Sequence, residues 1–120
     1  MQKVVLDTNA LLMPFEFKIN VDLELKGLLG DYEAYVPGPA IGELKRSKSK
    51  FANVALKLAG KYKRYETAIQ GDEGIIAAAI ALDAYVVTND ALMRAKLRRE
   101  GIKCIFLRSR SHLYLEDDQL

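Results

Sequence analysis

Apolar strand-like runs that alternate with helix-patterned stretches predict an α/β protein: a three-layer α/β/α domain around a mainly parallel central sheet of four or five strands. Three observations carry this. Val4-Val5-Leu6, Tyr85-Val86-Val87 and Cys104-Ile105-Phe106-Leu107 are short apolar runs bounded by charged or turn residues, as fully buried strands are. Segments with a period near 3.6 lie between the strands. Half of the 120 residues are apolar and 28% are charged, the balance of an ordinary globular domain large enough for one sizeable core.

The first strand covers Val4 to Leu6 and is closed by Asp7-Thr8-Asn9. Ala10 to Phe17 is apolar with an interruption at Pro14. Its Met13, Phe15 and Phe17 suit either the core or an interface. From Val21 to Gly30, the residues Val21, Leu25, Leu28 and Leu29 share a helical face, and Gly30 supplies a stop. Tyr32 to Val36 alternates as a second strand. It ends at Pro37-Gly38-Pro39, where Pro39 suits the first turn of a helix carrying Ile41, Glu43 and Leu44. Phe51 to Ile69 reads as helix, with Phe51, Val54, Ala55, Leu58, Tyr62, Tyr65 and Ile69 as its apolar stripe.

Gly71 breaks that helix, and Asp72 opens the next, whose Ile75, Ile76, Ala79, Ile80 and Leu82 face a sheet. The strand Tyr85 to Thr88 leads to a helix from Ala91 to Glu100 that buries Leu92, Met93 and Leu97 and stops at Gly101. Lys103 to Leu107 is the last strand. Residues 1–108 are therefore expected to form a single domain and 109–120 a C-terminal tail. With the second strand on one side of the first and the two later ones on the other, the strand order reverses beside Asp7, where open α/β sheets hold ligands.

No apolar run approaches the ~20 residues that cross a bilayer, so no membrane association is expected and the chain reads as cytoplasmic. Cys104 is the only cysteine and lies in an apolar run. An internal disulfide or a thiolate metal cluster is thereby excluded, and a core role is expected. His112 is the only histidine, so neither a Ser-His-Asp triad nor a Cys-His pair can be assembled. No GxGxxG or GxxxxGK[ST] phosphate loop occurs. The formal charge is +2, yet basic residues cluster at Lys45, Arg46, Lys48 and Lys50, at Lys57, Lys61, Lys63 and Arg64, and at Arg94, Lys96, Arg98 and Arg99. Taken alone, each cluster is equally well a solvated helix face. Together they suit a polyanion, with Lys45, Arg46, Lys48, Lys50, Arg94 and Arg98 as candidate contacts to its phosphates.

Four acids stand at strand ends or near helix starts: Asp7, Glu43, Asp72 and Asp90. Singly, each is as well explained by a helix cap or a solvated surface. Gathered within roughly 10 Å, they would repel by about 3 kcal/mol per close pair at an effective dielectric of 20, which calls for raised pKa values or for cations. Oxygen ligands without His or Cys suit Mg²⁺ or Mn²⁺. Such a site performs metal-assisted hydrolysis of a phosphodiester, with Thr8, Asn9, Thr88 and Asn89 available to orient ligands or water.

Leu6-Asp7-Thr8-Asn9-Ala10-Leu11-Leu12, Val36-Pro37 followed by Glu43-Leu44, Asp72-Glu73-Gly74-Ile75 and Val87-Thr88-Asn89-Asp90-Ala91-Leu92 occur in the order and spacing of PIN-domain nucleases. The chain resembles that family over nearly its whole length. The resemblance implies a PIN-like fold and a metal-dependent endoribonuclease whose metal-binding, catalytic acids are Asp7, Glu43, Asp72 and Asp90, supported by Thr88 and Asn9. The phrase from Leu11 to Asn20, with Tyr35-Val36-Pro37, resembles the branch that cuts or binds ribosomal RNA precursors in the small-subunit processome, including single-domain archaeal relatives. VapC-type toxins, which imply an antitoxin partner, share the acidic core. A non-catalytic RNA- or protein-binding module in ribosome assembly is the reading from another class. RNA, a ribosome-assembly partner or antitoxin, and a homodimer are the partners implied.

Overall fold

In the computed structural model, which describes residues 1–116, the chain runs β1 (Gln2–Leu6), α1 (Thr8–Glu16), α2 (Val21–Leu29), β2 (Tyr32–Pro37), α3 (Gly38–Arg46) and α4 (Ala52–Ala59). There follow β3 (Lys63–Tyr65), α5 (Gly71–Leu82), β4 (Tyr85–Val87), α6 (Ala91–Arg99), β5 (Cys104–Arg108) and β6 (His112–Leu115). One sheet holds the strands in the order β3-β2-β1-β4-β5-β6, every neighbouring pair parallel except β5 with β6. The mainly parallel α/β architecture expected from the sequence is what forms. No helix of the described residues is long and apolar enough to cross a membrane.

The central strand explains the hydrophobic pattern. Successive Val4, Val5 and Leu6 are all buried, because a parallel strand flanked on both edges and covered on both faces has no wet side. Val36, Val86, Val87, Cys104 and Ile105 continue the same core along the sheet. Helices α1, α3, α4 and α5 pack on one another, while α2 lies against β2 and β6 and α6 against β5. The chain leaves β1 toward β2 on one side and returns to β4 on the other. The reversal therefore falls between β1 and β4, and the Asp7 amide donates across it to the Val87 carbonyl.

Several elements depart from the sequence expectations. Residues 51–69 do not form one helix: α4 ends at Ala59, Gly60 follows, and Lys63–Tyr65 joins the sheet edge beside β2. Tyr62 and Tyr65 continue the helical period by coincidence, and a three-residue edge strand carries too few residues to show a period of its own. The sheet has six strands because β3 and β6 extend its two edges. Residues 112–115, expected in the tail, pair antiparallel with β5, while residues 117–120 of that tail lie outside the described part. Ile80 and Leu92 point to solvent rather than to the sheet, at 58% and 75% exposure. Met13 is buried, and Phe15 and Phe17 pack against the core. Helix α1 runs through Pro14, which sits in its last turn where the lost N–H costs one bond near a fraying end. Cys104 is buried, and burial pushes its thiol up to about 12.

Candidate active site

Asp7 occupies the junction of β1 and α1, where an extended backbone hands over to the helix and its side chain caps the first turn by accepting from the Ala10 amide at 2.9 Å. It is 7% exposed. Burial dominates its protonation and lifts its pKa from 3.8 to about 7. Hydrogen bonds from Thr88 and the Ala10 amide oppose the rise, and the charges of Glu43 and Asp90 add to it. A carboxylate held there is uncomfortable as a bare anion at neutral pH.

Asp90 arrives beside it because β4 is the neighbour of β1, in register Leu6↔Val87. It caps α6, accepting from the Leu92 and Met93 amides at 2.9 and 3.3 Å, and remains exposed. Between the two acids stands Thr88, fully buried, whose hydroxyl oxygen accepts from the Asp90 amide at 3.2 Å and whose hydroxyl reaches Asp7. Glu43 projects from α3 and is exposed. That helix is held to α1 by Thr8, whose hydroxyl donates to the Ala40 carbonyl at 3.5 Å.

Asp72 is arranged differently. Gln70 is the N-cap of α5, so Asp72 lies inside the first turn, where it complements the helix dipole rather than capping it. Half-buried, it pairs with Lys96 of α6 at 3.2 Å. The structure thus brings Glu43 and Asp90 close enough for their charges to act on Asp7, and it gives Asp72 a cationic partner. Among the described residues no three acidic, His or Cys side chains stand close enough to hold one ion. Asn89 ties the end of β4 to β5 by accepting from the Leu107 amide at 3.1 Å, and Asn9 stands exposed on the first turn of α1.

A PIN like domain is matched by residues 4–110. The chain belongs to the PIN-like domain family. This PIN-like domain is 33% identical to Ribonuclease VapC4 of Methanocaldococcus jannaschii, over 93% of the chain and 95% of that relative. Among solved structures, the PIN domain endonuclease Utp24 is similar with a TM-score of 0.81 at 20% identity, covering 95% of this chain and 90% of that one. A domain of a functionally unknown protein from M. jannaschii gives 0.66 at 16% identity, covering 91% and 93%. At such identities the two solved structures speak for the fold.

Three features of the PIN-like domain escaped sequence reasoning. Lys96 was visible only as one cation of a basic cluster, yet it is the partner of Asp72. Glu116 takes both Arg94 and Arg98, each at 2.9 Å, so these two residues anchor the chain after β6. Arg94 also lies over the Phe106 ring, 3.9 Å from its centroid. Finally, Gly74 lets α5 approach its neighbours: a Cβ there would overlap the Ile69 carbonyl oxygen and come within 2.7 Å of Pro39 Cγ. The Asp72-Glu73-Gly74 phrase contained that signal, since a buried helical glycine marks close approach.

Proposed function

We propose that this PIN-like domain is a Mg²⁺- or Mn²⁺-dependent endoribonuclease that hydrolyses RNA phosphodiester bonds in ribosomal RNA processing. The observation that carries the reading is Asp7: a buried carboxylate at the strand-order reversal, its pKa raised to about 7, with Glu43 and Asp90 as like-charged neighbours. The donor set suits a hard cation, because every available ligand is an oxygen and a bound cation would offset the burial and like charge that raise the Asp7 pKa. Asp7 and Asp90 would be the central ligands, with Glu43 and Asp72 completing the set. Asp72 would have to exchange its pairing with Lys96 for the ion. When bound, the ion supplies an activated water and neutralises charge on the phosphodiester.

The chain's own groups do the rest. Thr88 fixes the Asp7 carboxylate while its oxygen holds the Asp90 amide, so the two acids keep one relative position. Thr8 and Asn89 hold α3 and β5 to the same end of the sheet. Asn9, exposed beside Asp7, is free to orient water or ligand. Lys45 and Arg46 at the end of α3, with Lys48 and Lys50 beyond it, are exposed and receive the RNA phosphates.

The 33% identical relative supports a second reading, a VapC-type toxin ribonuclease. The two differ in company: a toxin is silenced by an antitoxin that binds it, whereas the ribosomal role involves assembly partners or a homodimer acting on precursor RNA. Calorimetric titration of Mn²⁺ into the wild type, Asp7→Asn and Asp90→Asn tests the common core. The expected result is micromolar to low-millimolar binding lost in both variants, with metal-dependent RNA cleavage lost in parallel. Binding indifferent to both changes would leave the acids as separate helix caps and favour a non-catalytic binding module.

A further inference from the structure

Between Glu43 and Glu66 the chain carries eight Lys or Arg and no acidic residue. Lys63 and Arg64 lie on β3 and pair with Glu33 and Glu66; the other six run from the end of α3 through the 47–51 link and along α4, beside a groove of ≈ 690 Å³ between α4 and the turn that joins α1 to α2. The floor of the groove is apolar, formed by Phe15, Ile19 and Leu58, and its rim carries Lys18, Lys57 and Lys61. All three lysines are exposed, and none of them pairs with a carboxylate among the described residues. Asp22, the acid that lines the groove, already accepts from the Tyr32 hydroxyl. Where the track enters, the Phe15 and Phe51 rings stack with centroids 6.2 Å apart, and the Lys50 ammonium lies 5.2 Å over Phe51.

We propose that this groove is a second RNA site, holding a single-stranded segment that flanks the cleaved bond. Unpaired ammonium groups around one rim repel one another, and regularly spaced phosphates relieve that repulsion. An apolar floor accepts base and ribose faces without reading sequence. An acidic peptide would satisfy the groove but would leave the acid-free cationic track to Glu43 without a role, whereas a polyanion uses both. The ligand class rests on the ribonuclease reading, and it adds a site away from the acids.

The test uses fluorescence anisotropy with labelled single-stranded oligoribonucleotides of about 4 and about 16 nucleotides, lengths that bracket common strand-binding site sizes. The host is the 120-residue chain carrying Asp7→Asn, which keeps the strand intact. Adding Lys18→Gln, Lys57→Gln and Lys61→Gln is expected to remove the preference for the longer strand. It should also lower the slope of log affinity against log salt by about 2, at roughly 0.7 per phosphate contact. An unchanged slope and unchanged length preference would overturn the proposal and leave a protein segment as the groove's occupant. Cleavage by the protein with Asp7 intact is measured separately. Lysine-dependent binding without metal-dependent cleavage upholds the groove and refutes the nuclease reading; cleavage with lysine-indifferent binding does the reverse.

Discussion

Asp7→Asn should stabilise the metal-free protein at neutral and higher pH, and the size of the gain follows from the site. The Asp7 pKa moves from 3.8 to about 7 on folding, so the folded state favours the protonated acid. The stability tied to that proton is fully present below pH 3.8 and is lost as pH rises through about 7. At 1.36 kcal/mol per unit of pKa, the loss approaches about 4 kcal/mol by pH 8. Asparagine escapes it. Its side-chain oxygen still caps α1 through the Ala10 amide, since Asn and Asp are equivalent N-caps. Its NH₂, however, meets a Thr88 hydroxyl that already accepts from Asp90, which costs about 1 kcal/mol. The variant is therefore expected to be slightly less stable than the wild type near pH 4 and about 3 kcal/mol more stable at pH 8. Urea denaturation of both proteins with chelator present, at intervals from about pH 4 to 8, reads this directly. A stability difference that stays constant across the range, or a less stable variant at pH 8, would refute the argument that burial and like charge control this carboxylate.

Four further outcomes are expected. Gly74→Ala should destabilise by about 3 kcal/mol or more, because the added methyl meets the Ile69 backbone and Pro39 rather than a movable side-chain tip; an unaltered denaturation midpoint would contradict that packing. Glu116→Gln should cost about 1–3 kcal/mol and expose the β5 and β6 amides to hydrogen exchange. Burial works against the Glu116 charge, but hydrogen bonds from Arg94 and Arg98 win and lower its pKa, so its contribution is present above pH 4.5 and fades as pH falls; equal losses at low and neutral pH would refute this. Lys96→Gln should tighten Mn²⁺ binding several-fold if Asp72 enters the metal site, and unchanged calorimetry would place Asp72 outside it. Removing charge at Lys45, Arg46 and Lys48 should weaken RNA binding and flatten its salt dependence by about 2, at roughly 0.7 per contact, whereas an unaltered slope would make them a solvated face.

The legible parts were those governed by local chemistry. Fully buried strands announce themselves as apolar runs, and Asp7 and Asp90, at strand ends, cap the helices that follow. The parallel order and its reversal beside Asp7 followed from alternation and crossover handedness. Less legible were short edge elements. Lys63–Tyr65 earns its place by three residues of pairing with β2, and residues 112–115 by pairing with β5; neither has a pattern strong enough to be read alone.

Sequence by itself determined the class of fold, the central strands and the oxygen-only character of the candidate site, because propensity, burial period and residue type act over a few neighbours. Only the tertiary structure decided who meets whom. Asp72 meets Lys96, and Arg94 and Arg98 are turned toward Glu116, 22 and 18 residues away, while Asp7 is buried deeply enough to be half protonated near neutral pH. Desolvation and pairing depend on distances between segments remote in the chain, and no local pattern of residues encodes those distances.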